Sequence, residues 1–148
     1  MKKFVRSINL ILGIIIFLSI VFGFLLFFAP SLFDWYCDVI GRGAESYKTL
    51  VFVFYLCSPS AALTLIYLLR FLLHIKKNEI FSRDTVKILN ILSYLCLSIV
   101  PLSLPLCFQF LASFPIPAAG LFMWLFLKVI KNAFAYGTEI KDENDLTV

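Results

Sequence analysis

The sequence predicts an all-α integral membrane protein with four transmembrane helices and both termini on the same side of the bilayer. Three observations carry that prediction. Residues 8–28, 49–69 and 88–127 contain no Asp, Glu, Lys, Arg or His. The chain is 61% hydrophobic, with a mean hydropathy of +0.97, well outside the range of soluble domains. Its basic residues sit between the apolar blocks in a strongly uneven way. A hydrocarbon core about 30 Å thick needs roughly 20 apolar residues in a helix. The first two blocks are therefore one span each and the third is two, giving spans at 8–28, 49–69, 88–108 and 114–131.

Orientation follows from the charges. Lys2, Lys3 and Arg6 precede the first span, and Arg70, Lys76, Lys77, Arg83 and Lys87 lie between the second and third. Lys128, Lys131 and Lys141 belong to the end of the chain, whereas only Arg42 and Lys48 fall on the opposite side. The positive-inside rule then predicts cytoplasmic termini and a cytoplasmic middle loop, as for a multi-pass protein of the plasma (inner) membrane. The net charge of +4 thus reflects topology, and direct nucleic-acid binding is not expected. The first block is longer than the 7–15 residues typical of a signal-peptide core. Phe27-Phe28-Ala29-Pro30 also lacks a suitable cleavage pattern, so the first helix is expected to remain as an anchor.

Beyond the first span, Ser31 to Ile40 reads as a short external helix lying at the interface. Asp34 and Asp38 share one face, while Leu32, Phe33, Tyr36, Val39 and Ile40 occupy the other, and Ser31 is a suitable cap. It reads either as an interfacial anchor or, more sharply, as a ligand-binding lid. Gly41-Arg42-Gly43 supplies the turn into the second span. Pro59, Pro101 and Pro105 fall within spans, where each removes a backbone donor and kinks the helix, a device that transporters use at substrate sites. The charge-free blocks offer no ionisable group for ion coupling, however. Ser113-Phe114-Pro115-Ile116-Pro117 is the best start for the fourth helix, with Ser113 as cap. That helix is expected to continue beyond the membrane as an amphipathic cytoplasmic rod, with Lys128 and Lys131 reaching toward the headgroups.

Chemistry is sparse. His74 is the one histidine, and neither a Ser-His-Asp set nor a phosphate-binding glycine loop is present. The chain is not expected to be an enzyme, and no cofactor or metal site is expected. Cys37, Cys57, Cys96 and Cys107 show no CxxC spacing and read as small apolar fillers, although a Cys37–Cys107 disulfide is conceivable. Ser19-x-x-x-Gly23 permits close helix approach and raises self-assembly as a further possibility.

The cytoplasmic segments are the most distinctive. Ser82 is placed to cap the third helix, with Asp84 in its first turn and Phe81 positioned to staple onto Val86. The tail ends in Glu139-Ile140-Lys141-Asp142-Glu143-Asn144-Asp145-Leu146-Thr147-Val148. Arg70 at the end of a span, Phe81-Ser82 before the third helix, and Glu139 with Glu143-Asn144-Asp145-Leu146-Thr147-Val148 together resemble an uncharacterised bacterial membrane family, domain of unknown function 2975. The resemblance implies a small four-helix membrane protein, often encoded beside a short Cro-type helix-turn-helix regulator, with no catalytic residue or cofactor to carry over. Candidate interaction residues are Arg70, Phe81, Ser82, Arg83, Glu139, Glu143, Asn144, Asp145 and Leu146. The leading expectation is a membrane-resident partner that binds or sequesters that regulator. The alternative is a transport or immunity subunit acting on a membrane-active peptide or small solute.

Overall fold

The structure, a computed structural model, describes residues 2–41, 43–77 and 81–146, with side chains for 8–41, 43–77 and 81–144. Four long helices account for nearly all of it: α1 (Lys2–Ile40), α2 (Ala44–Lys76), α3 (Arg83–Gln109) and α4 (Pro115–Leu146), with a single 3-10 turn at Leu111–Ser113 between the last two. Each is long and apolar enough to cross a membrane, the make-up of a multi-pass membrane protein.

The helices form an antiparallel row in which each packs on its neighbour in sequence. Among the described residues, the backbone of α1 meets α2, that of α2 meets α3 and that of α3 meets α4, with no such approach between α1 and α3 or α4. Polar contacts give the register. Gln109 donates to the Thr49 hydroxyl at 3.0 Å, and the Ser60 and Ser98 hydroxyls lie 2.7 Å apart. On the next interface, Lys128 reaches Asn90 and Arg83 reaches Asp142. The ends of α2 and α4 and the start of α3 therefore share one end of the molecule, called the Arg83 end below.

α3 is the best-covered helix. Thr85, Ile88, Leu89, Leu92, Ser93, Cys96, Ser103 and Leu106 are buried along it, at the three- and four-residue spacing of a helix packed on two sides. Small residues set the close approach to α4. A Cβ on Gly120 would lie 3.2 Å from Val100 Cγ2 and 3.3 Å from the Cys96 carbonyl, while Ser93 and Ser103 are fully enclosed. Without a hydrophobic force between helices in lipid, this close packing is what holds such helices together.

Three expectations change. The segment Ser31–Ile40 is not a separate helix: it is the last part of α1, which continues for 39 residues through Pro30. Pro30 leaves the Leu26 carbonyl without its helical donor, and the Tyr55 hydroxyl of α2 donates to that oxygen at 2.8 Å. Phe33 packs edge-on against Phe54, and Cys37 is buried, so α2 carries the continuation. At about 1.5 Å per residue α1 is about 58 Å long, well beyond the bilayer core. The chain reverses only at Gly41, whose φ of 70° is one that glycine adopts without steric cost.

Second, the basic middle segment is mostly helix. Arg70, His74 and Lys76 all belong to α2, while Arg83 and Lys87 belong to α3, as the Ser82 cap predicts. Asn78, Glu79 and Ile80, part of the expected loop, lie outside the described residues. Third, Ser113 closes the 3-10 turn and Pro115 is the first helical residue of α4, a position where the missing N–H costs no helical bond. α4 then runs without a break to Leu146.

All four cysteines are free thiols, so Cys37 and Cys107 are not joined. Ser58 donates to the Tyr55 carbonyl at 2.9 Å, the oxygen that Pro59 leaves unpaired. Pro59, Pro101 and Pro105 are all exposed on the outside of the helix row.

Candidate interaction site

At the Arg83 end, the short connection before α3 is tied to α4 from residue to residue. Ser82 has extended backbone angles (φ −134°, ψ 151°), and its side chain accepts from the Thr85 N–H at 3.2 Å. This is the expected cap. The two hydroxyls of Ser82 and Thr85 are also 2.9 Å apart, and Thr85 is fully buried. Asp84 stands in the first turn, where a carboxylate suits the helix dipole, and pairs with Lys87 at 3.3 Å.

Phe81 does not stay on its own helix. Its ring packs on Phe134 of α4, with centroids 5.8 Å apart, and Phe134 in turn meets Phe71 of α2 at 6.2 Å. The Phe81 ring lies directly over Gly137: a Cβ there would fall 2.5 Å from Cε1 and 2.7 Å from Cδ1. Only glycine leaves room for the ring in this position. Next to it, the buried Thr138 turns its hydroxyl back to the Phe134 carbonyl at 2.8 Å, so the site presents no bare donor to the ring. Three elements thus converge on one aromatic lock.

A charged contact lies outside the lock. Arg83 Nη2 is 3.1 Å from Asp142 Oδ2, with both side chains substantially exposed. An ion pair of this kind contributes about 0–1 kcal/mol, so it sets the register of α4 more than it holds the fold. Between α3 and α4 lies a recess of about 250 Å³ lined by Arg83, Val86, Ala135, Thr138, Glu139 and Asp142. Glu139, Glu143 and Asn144 are exposed on α4.

The structure therefore gathers Phe81, Ser82, Arg83 and Glu139 into one site, with Glu143 and Asn144 one turn further along α4. Arg70 stands apart. It lies on α2 with its guanidinium 5.8 Å from the Tyr67 ring centroid, in a different cleft described below. The side chains of Asp145 and Leu146 lie outside the described residues, as do Thr147 and Val148. Sequence reasoning missed Phe71, Phe134, Gly137 and Asp142 as members of the site. The one available signal was Gly137, a poor helix former inside an otherwise regular helical pattern. Lys128 has partners within the protein: its ammonium sits 4.1 Å from the Tyr94 ring centroid and donates to Asn90 Oδ1 at 3.0 Å.

Comparison with known families covers this site completely. The model of the family described as protein of unknown function (DUF2975) matches residues 36–148. The chain belongs to the DUF2975 family. The DUF2975 match takes in the end of α1, all of α2 to α4, and every residue of the aromatic lock. It leaves out the stretch of α1 before Tyr36. Neither the curated proteins nor the solved structures contain a match to this chain.

Proposed function

We propose that this DUF2975 protein is a non-enzymatic, membrane-resident regulatory partner that binds a small basic cytoplasmic protein at its Arg83 end. The Phe81–Phe134–Gly137 lock is the observation that carries this reading. It fixes α4 against α3 by packing the Phe81 ring on Phe134 and Gly137. Glu139 and Glu143 then stand exposed on a positioned helix, and a helix held in advance loses less entropy when a partner docks.

The charge distribution supports the choice of partner. DNA-binding proteins carry a clustered basic surface, which an acidic helix complements, and the family resemblance implies a helix-turn-helix regulator encoded nearby. Sequestering such a protein at the membrane would keep its basic face from DNA. In this reading the Arg83 end is cytoplasmic, in the plasma (inner) membrane, as the uneven distribution of Lys and Arg supports. The transport alternative draws less support, because the prolines that motivated it face outward and the described helices form an open row.

Co-purification of the neighbouring regulator with the full chain, repeated without residues 139–148, tests the reading. Capture that depends on those residues is the expected result. Capture that is unchanged by the deletion removes α4 from the mechanism, and no capture by the full chain contradicts the proposal.

A further inference from the structure

A second cleft opens between α2 and α3, with no residue of α4 in its lining. Its lining runs from Lys77, Asp84 and Lys87 at the helix ends, through His74 and Arg70, to Tyr67, Leu73, Ile88 and Ile91, and it encloses about 470 Å³. From Lys77 to Tyr67 the cleft runs about 15 Å along α2 at the rise of an α-helix, with Leu73 between the cations Arg70 and Lys77, and Ile88 and Ile91 line it from α3.

The polar groups in the cleft are only partly matched within the protein. Lys87 is paired with Asp84 at 3.3 Å. His74 is hydrogen-bonded through Nδ1 to the Arg70 carbonyl at 3.0 Å. Arg70 stacks on Tyr67, and among the described residues no carboxylate lies within ion-pair distance of Arg70 or Lys77. Three permanent cations thus face one carboxylate around a cleft whose inner wall is apolar.

We infer that this cleft seats an anionic phospholipid, its phosphate between Arg70 and Lys77 and one acyl chain along Leu73, Ile88 and Ile91. Charge complementarity selects the phosphate, since basic pockets between membrane helices attract anionic headgroups and a guanidinium matches phosphate geometry well. The apolar wall selects a lipid over a soluble phosphate, because it offers a free anion nothing. Leu73 and Ile91 are exposed, so an acyl chain enters sideways from the bilayer. This site does not depend on any protein partner.

The test uses the full chain in nanodiscs containing equal phosphatidylglycerol and phosphatidylcholine, with lipids retained after mild detergent extraction identified by native mass spectrometry. Phosphatidylglycerol is expected to be enriched about tenfold over the bulk ratio. The R70Q/K77Q variant is expected to return to the bulk ratio, whereas K131Q/K141Q, with the same change of net charge outside the cleft, keeps the enrichment. R70K is expected to retain most of it. K77Q and K87Q, single changes at exposed positions, each lower it partway, so the reading does not depend on one variant folding. No enrichment in the native chain overturns the inference, as does an equal loss in K131Q/K141Q. Displacement of the retained lipid by millimolar inorganic phosphate overturns the assignment to a lipid.

Discussion

The Tyr55 hydroxyl donates to the Leu26 carbonyl across the α1–α2 interface at 2.8 Å, the one oxygen in that turn that Pro30 deprives of its helical partner. This contact explains how a 39-residue helix passes a proline without ending. Ser58 does the same for the Tyr55 carbonyl ahead of Pro59. The defects at Pro30 and Pro59 are thus met by hydroxyls, the first from a neighbouring helix and the second from the residue just before the proline.

Tyr55→Phe is accordingly expected to weaken the α1–α2 contact by about 1 kcal/mol, read as a lower midpoint in unfolding by denaturing detergent. Pro30→Ala restores the N–H, so the cost of Tyr55→Phe should shrink in that background. A double-mutant cycle measures this coupling. Equal costs in both backgrounds would separate Tyr55 from the proline.

Gly137→Ala places a methyl group where the Phe81 ring lies. Overpacking at such a contact costs about 1–3 kcal/mol. The expected signature is compensation: Phe81→Ala in the same chain should recover most of the loss, although Phe81→Ala alone is destabilising. Additive losses in an unfolding titration would contradict the lock.

Lys128 and Asn90 form a polar contact between the facing walls of α3 and α4. Asn90→Leu leaves the ammonium without its hydrogen-bond acceptor and is expected to cost about 1–2 kcal/mol. Lys128→Met removes the charge and its need together, so it should be nearly neutral, and Asn90→Leu should then cost little. Detergent unfolding of the four proteins of the cycle measures this.

The Arg83–Asp142 pair is exposed, and Asp142→Asn should lower stability by less than about 1 kcal/mol. A larger effect would place the pair among the supports of the fold rather than at its surface. The comparison is best made at two salt concentrations, since the small contribution of an exposed pair falls further as salt screens it.

Much of the architecture was legible before any coordinates. The charge-free blocks located the four long apolar helices, because a long apolar run in a membrane protein has few structures open to it. Ser82 was legible as a cap because capping is local, decided within three residues. The continuity of α1 was not, since Pro30 followed by Ser31 is also the pattern of a helix end, and the deciding donor, Tyr55, is 29 residues away. The contact of Phe81 with Gly137 was not legible for a similar reason: Gly137 is brought in only by the register of α4 on α3. Arg70 and the Phe81 group were read as one basic region, yet α2 and α3 carry them to different clefts.

The central claim is that the Arg83 end is a docking face assembled before a partner arrives. The most direct test is the affinity of the partner proposed above, a helix-turn-helix regulator, for the full chain in nanodiscs, compared with Gly137→Leu, which displaces Phe81 without altering any charged group. The account predicts a loss of about tenfold or more with helix content unchanged, because the partner must then order α4 itself. Equal affinity for both proteins would contradict it.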